Sequence, residues 1–98
     1  MIVADVAFYP IGKGVSASEA IKKAIEALRG GAGVRCYPNS MATVMEAESL
    51  EQIFAAVARA EKALVDMGYP RVETILRVDD RRDLENSVER KLRALGEE

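Results

Sequence analysis

The sequence predicts an α+β sandwich in which four antiparallel strands form one sheet, two helices pack on one of its faces, and a helical extension follows at the C-terminus. Three observations carry this. Residues 2–9 and 72–79 alternate in side-chain character with the period of two expected of strands. Residues 16–28 and 49–64 each open with the spacing of a capping box and continue with apolar residues every three or four positions. Between those helical segments, Pro38-Asn39-Ser40 supplies the turn of a hairpin.

In the first strand Ile2, Ala4, Val6 and Phe8 fall on one side and Val3, Asp5, Ala7 and Tyr9 on the other, and Pro10 and Gly12 end it. Ser16 and Glu19 then start a helix whose stripe is Ile21, Ala24, Ile25 and Leu28, stopped by Gly30-Gly31. The hairpin joins a short strand over 34–37 to another over 41–46. Ser49 and Gln52 open the second helix, with Leu50, Ile53, Phe54, Val57, Ala60 and Leu64 as its stripe and Gly68 and Pro70 beyond its end. The last strand alternates Val72, Thr74, Leu76 and Val78 with Glu73, Ile75, Arg77 and Asp79. From Leu84 onward, Leu84, Val88, Leu92 and Leu95 suit an amphipathic helix, for which Asp80 or Asp83 would serve as the N-terminal cap. The order β-α-β-β-α-β with right-handed crossovers is that of a ferredoxin-like sandwich, which places both main helices on the same sheet face.

Composition narrows the function. The 98 residues are expected to form a single domain, 1–98, without internal repeat or low-complexity stretch. Fourteen basic against sixteen acidic residues leave a net charge of −2 and no basic patch, which argues against nucleic acid as a partner. No apolar run approaches a membrane span and the N-terminus lacks a basic leader, so a cytoplasmic protein without membrane attachment is the expectation. The absence of histidine removes the common zinc sites and imidazole acid–base chemistry, and the single cysteine, Cys36, has no histidine to activate it and reads as a buried, inert thiol. No cofactor, metal ligand or catalytic residue is assigned.

With both helices on one face, the pattern sends Ala42, Val44, Val72, Leu76 and Val78 towards them. The opposite face receives Val3, Asp5, Ala7, Tyr9, Tyr37, Met41, Thr43, Met45, Glu73, Ile75 and Arg77, and its own chain leaves it uncovered. That mixture is too apolar for a wet surface and too polar for a core, so a second copy of the chain is expected on it. Asp5, Tyr37, Ser40, Thr43 and Arg77 lie on or beside this face on separate strands and are the candidate ligand-binding residues, Tyr37 for stacking and Asp5 and Thr43 for hydrogen bonds. Hydrogen bonding between subunits is the alternative use of the same groups. Gly12-Lys13-Gly14 follows a strand but lacks the spacing of a phosphate loop and reads as a flexible connection, with Lys13 left to meet an anion. The Asp79-Asp80-Arg81-Arg82-Asp83 segment has enough carboxylates for magnesium, yet its arginines suffice to neutralise them, and the structural reading is preferred.

Tyr9-Pro10-Ile11-Gly12, Met41-Ala42-Thr43-Val44-Met45-Glu46 and Val78-Asp79-Asp80-Arg81-Arg82-Asp83 together resemble the small thiamine-binding protein family, over essentially the whole chain. The resemblance implies a ferredoxin-like domain that forms homodimers or homotetramers through the open sheet face and strand edges, binds thiamine or its hydroxymethylpyrimidine part, and is not an enzyme. It places Thr43 at the pocket. A carrier, buffer or sensor of thiamine is therefore the expected function. An oligomeric regulatory or scaffolding domain without a dedicated ligand is the alternative.

Overall fold

The computed structural model describes residues 1–14 and 17–97. Its elements are β1 (Ile2–Ile11), α1 (Ser18–Leu28), β2 (Val34–Pro38), β3 (Thr43–Ala47), α2 (Leu50–Asp66), β4 (Arg71–Asp79) and α3 (Val88–Ala94). The sheet runs β2-β3-β1-β4 with every neighbouring pair antiparallel, the ferredoxin-like α+β arrangement that the sequence predicts.

β1 is one of the two inner strands, and its pairing decides which layer the side chains of β3 and β4 enter. Ile2, Ala4 and Val6 stand opposite Ala47, Met45 and Thr43 of β3, while Ala4, Val6 and Phe8 stand opposite Val78, Leu76 and Thr74 of β4. Cross-strand partners share a face. The helix-covered face therefore takes Thr43, Met45 and Ala47, all of them buried. This corrects the sequence expectation for β3, which had Thr43 and Met45 on the open face and Val44 with Ala42 beneath the helices. The strand begins at Thr43, leaving Met41 and Ala42 in the turn, where the Asn39 amide donates to the Ala42 carbonyl at 3.0 Å. Apolar residues occupy both parities of this short segment, so its facing is fixed by pairing rather than by alternation.

Ala20, Ala24 and Leu28 of α1 and Ile53, Ala56, Ala60 and Leu64 of α2 are fully buried against the sheet and each other. The alanines let the two helices approach closely, and the stripe at Ile53, Ala56, Ala60 and Leu64 excludes Phe54, which is 52% exposed rather than part of the core as its sequence position suggested. At the start of α2 the Ser49 hydroxyl accepts the Gln52 amide at 3.2 Å and the Gln52 side chain accepts the Ser49 amide at 3.0 Å, the predicted capping box. Ser16, the predicted cap of the first helix, lies outside the described residues, and Ala17 at the N-cap of α1 provides no side-chain bond. Arg59 extends from α2 to the end of α1, donating to the Ala27 and Leu28 carbonyls at 3.2 and 3.4 Å, where a cation also meets the negative end of the helix dipole.

The C-terminal segment departs from expectation. Its helix starts at Val88, four residues later than Leu84, and its cap is Ser87, whose hydroxyl accepts the Arg90 amide at 3.0 Å. Asp80 and Asp83 do not cap it, because each is held by an arginine two residues away: Asp80 by Arg82 and Asp83 by Arg81.

Gly12 holds φ at +115°, and a Cβ there would lie 2.5 Å from the Pro70 ring. Gly12→Ala combines a backbone penalty with this clash and should cost about 1–3 kcal/mol, lowering the thermal midpoint by several degrees in a calorimetric scan. Ser49→Ala should cost about 1 kcal/mol by loss of the α2 cap, read as a shift in the urea midpoint at unchanged slope.

Candidate functional site

The register lines up one transverse row across the face away from α1 and α2: Tyr37 of β2, Val44 of β3, Asp5 of β1 and Arg77 of β4. Strands lie about 4.8 Å apart, so the row spans about 14 Å. Asp5 and Arg77 form a bidentate pair, with Nε to Oδ1 at 2.9 Å and Nη2 to Oδ2 at 2.5 Å. The hydrogen bonds from Arg77 hold the Asp5 carboxyl below the usual carboxylate range despite some opposing desolvation. Since the folded-state value is the depressed one, the pair's contribution to stability is complete above the unfolded value of about 3.9 and disappears as pH falls through the lowered value.

A second row lies two residues further along: Arg35, Glu46, Val3 and Asp79. The C-terminal segment roofs it, so the expectation of a sheet face bare of its own chain holds only for part of that face. Glu46 is 4% exposed and its Oε2 accepts the Val88 amide at 2.8 Å. Lys91 pairs with Asp79, and the buried Asn86 donates to the Asp79 carbonyl at 2.9 Å. Val3 is buried beneath.

Between α3 and the first row runs a groove of about 370 Å³, at the small end of the range for ligand sites. Val3, Asp5, Val44, Arg77 and Asp79 form its sheet side, and Val88, Lys91 and Leu92 of α3 its wall. Its two cations are each matched to a carboxylate, Arg77 to Asp5 and Lys91 to Asp79. Among the described residues, no serine, threonine or cysteine lines it. The surface suits a flat, largely apolar molecule with a polar edge, the aliphatic floor taking the ring and the ion pairs meeting its donors and acceptors.

Of the five candidate residues, the structure brings Asp5 and Arg77 together on the groove, and Tyr37 stands in the same row two strands from Asp5. Thr43 is separated from them by the sheet, 6% exposed on the helix side opposite Val6. Ser40 sits in the β2–β3 turn, exposed, its amide donating to the Asn39 side chain. Sequence reasoning missed Val44, Glu46 and the α3 wall. Two signals pointed to them: a lone carboxylate, Glu46, in an apolar run, and a third apolar stripe, Val88, Leu92 and Leu95, that needed a face.

The remaining candidates have structural roles. The Lys13 ammonium donates to the Met67 carbonyl at the end of α2 and stands 5.0 Å from the Tyr69 ring centroid, so the glycine-flanked loop fastens β1 to that helix end. Arg81 and Arg82 hold Asp83 and Asp80 below the usual carboxylate range. Cys36 is half-buried on the helix side opposite Met45, and burial pushes its thiol up, away from the reactive thiolate.

Comparison with known proteins places the chain in a family. A family model described as thiamine-binding protein matches residues 4–96. A UPF0045 protein of Methanocaldococcus jannaschii is 40% identical over 96 residues, 98% of this chain and 93% of the relative. A UPF0045 protein of Bacillus subtilis is 33% identical over 100 residues, 98% of this chain and 95% of the relative. The solved M. jannaschii structure superposes with a TM-score of 0.90 over 98% of this chain and 96% of that one, at 40% identity. A Thermotoga maritima protein proposed to act in thiamine biosynthesis or salvage shares the fold, with a TM-score of 0.80 and 19% identity over 96% of this chain and 97% of that one. With a family match over nearly its whole length and close relatives covered end to end, the chain belongs to the thiamine-binding protein family.

Proposed function

We propose that this protein binds thiamine, or its hydroxymethylpyrimidine part, in the groove between α3 and the sheet, and does so without catalysis as a cytoplasmic carrier, buffer or sensor. The observation that carries the reading is the Tyr37–Val44–Asp5–Arg77 row, an aliphatic floor with an aromatic ring at one end and a fixed carboxylate–guanidinium pair beside it. The family match supports the ligand class. An aminopyrimidine presents an amine donor next to ring nitrogens, which complements the free lone pairs of Asp5 and the outer N–H groups of Arg77. The cationic thiazolium is favoured by an aromatic face. A diphosphate is disfavoured, because both groove cations are already neutralised. Thr43 and Ser40 stand outside the direct ligand contacts in this reading.

The rest of the open face favours self-association. Beyond the groove the rows continue as Ala7 with Ile75 and Tyr9 with Glu73, and Ile75 and Tyr9 are 56% and 45% exposed. A homodimer or homotetramer covering these side chains accounts for an apolar face on a chain of this size.

Calorimetric titration should show one saturating site per subunit or subunit pair, with thiamine and hydroxymethylpyrimidine bound more tightly than thiamine diphosphate; absence of heat at millimolar ligand removes the reading. Asp5→Asn should weaken thiamine by roughly tenfold or more, the worth of a charge-assisted hydrogen bond, whereas Thr43→Ser should leave affinity unchanged. Ile75→Lys should reduce the mass measured by light scattering to that of a smaller assembly, and an unaltered mass would place the subunit interface elsewhere.

A further inference from the structure

We propose that residues 84–97 form a strap that lifts from the sheet as a unit, and that Glu46 is the positioning residue that latches it and so sets access to the groove. This goes beyond the binding reading, since it concerns how the groove opens rather than what occupies it.

Four observations lead here. First, α3 has seven residues and none of them is buried. A helix that short is unstable in isolation, so its order depends on docking. Second, its apolar stripe has not closed on the sheet: Leu92 and Leu95 are 43% and 78% exposed, and the groove lies between Val88, Leu92 and the floor at Val3 and Val44. Third, the ties that hold it are few and polar, two of them at or just before the start of α3 and one on its last turn. They are the Glu46 carboxylate on the Val88 amide, Asn86 on the Asp79 carbonyl, and Lys91 on Asp79. Fourth, Glu46 and Asn86 are two of the three buried polar residues among those described, the third being Thr43.

The arrangement has the properties of a hinged cover. A segment with few buried apolar contacts opens at a free energy well below that of the whole domain. Its Lys91–Asp79 pair is partly exposed and screened by solvent, at 42% and 49% for the two side chains. The Glu46 bond is shielded from water and accepts an amide that the first turn of a helix leaves without an intrahelical partner. Removing the carboxylate therefore frees the end of α3 nearest the sheet, while β1 keeps both of its partner strands.

Hydrogen exchange followed by mass spectrometry on the ligand-free full-length chain tests this. In the native protein, peptides covering α3 should exchange at least a hundredfold faster than those covering β1. Glu46→Ala should speed α3 at least tenfold further with β1 unchanged, and Glu46→Gln, whose amide oxygen still accepts the Val88 N–H, should stay within about threefold of the native rate. As a direct measure of access, a thiol introduced by Val44→Cys in a Cys36→Ser background should react with a disulfide reagent at least tenfold faster once Glu46→Ala is added. Joint exchange of α3 and β1 in the native protein would overturn the strap. An α3 rate unmoved by Glu46→Ala, or a β1 rate raised as much as that of α3, would overturn the latch. Because no ligand is present, a failed thiamine titration leaves these outcomes standing, and a rigid α3 leaves the binding reading standing.

Discussion

The pairing of β1 with both of its neighbours is the constraint on which the rest depends. It is an inner strand that joins the β2–β3 hairpin to β4, and its alternation assigns every facing residue of β3 and β4 to a layer. Shifting β3 by a single residue would bring Glu46 under the helices and expel Met45, exchanging a core side chain for a carboxylate. The cost of burying a charge without a partner excludes that slip. One register therefore sets both the core and the floor of the groove.

The helix layer can be thin because of its small residues. Alanines at 20, 24, 56 and 60 bring α1 and α2 together over the sheet, and larger side chains at Leu28, Ile53 and Leu64 fill the remaining space beside Met45 and Phe8. The same closeness lets Arg59 reach the last carbonyls of α1. The other face has no such layer, only a seven-residue helix over one end, so the two sides differ in how firmly they are covered. The candidate groove thus has a firmly packed layer behind its floor, and the strap proposed above lies on the side without one.

The fold was legible because each element carried its own signal: period two in the terminal strands, capping boxes and stripes in the helices, and a proline–asparagine turn between the short strands. The site was legible only in part. Asp5, Tyr37 and Arg77 followed from clear alternation in β1 and β4 and from the length of β2. Thr43 did not, because five residues with apolar side chains at both parities contain no facing information, and the facing was decided by residues forty positions away. The family resemblance pointed to Thr43 as well, without saying on which side of the sheet it lies. The C-terminal helix was foreseen as an element but not as a wall, since nothing local states where a short amphipathic segment docks. The aspartate–arginine run illustrates the reverse case: local charge pairing alone accounts for Asp80 and Asp83, and each observed ion pair joins residues only two positions apart.

The matched pairs flanking the groove have a kinetic consequence. With Arg77 cancelled by Asp5 and Lys91 by Asp79, the groove projects almost no net field into the solvent beyond a Debye length. A charged ligand is then not drawn in from a distance, and its encounter rate should be that of unguided diffusion, with little dependence on ionic strength. Discrimination is deferred to contact, where the fixed directions of the hydrogen-bonding groups, rather than their total charge, select the molecule that stays.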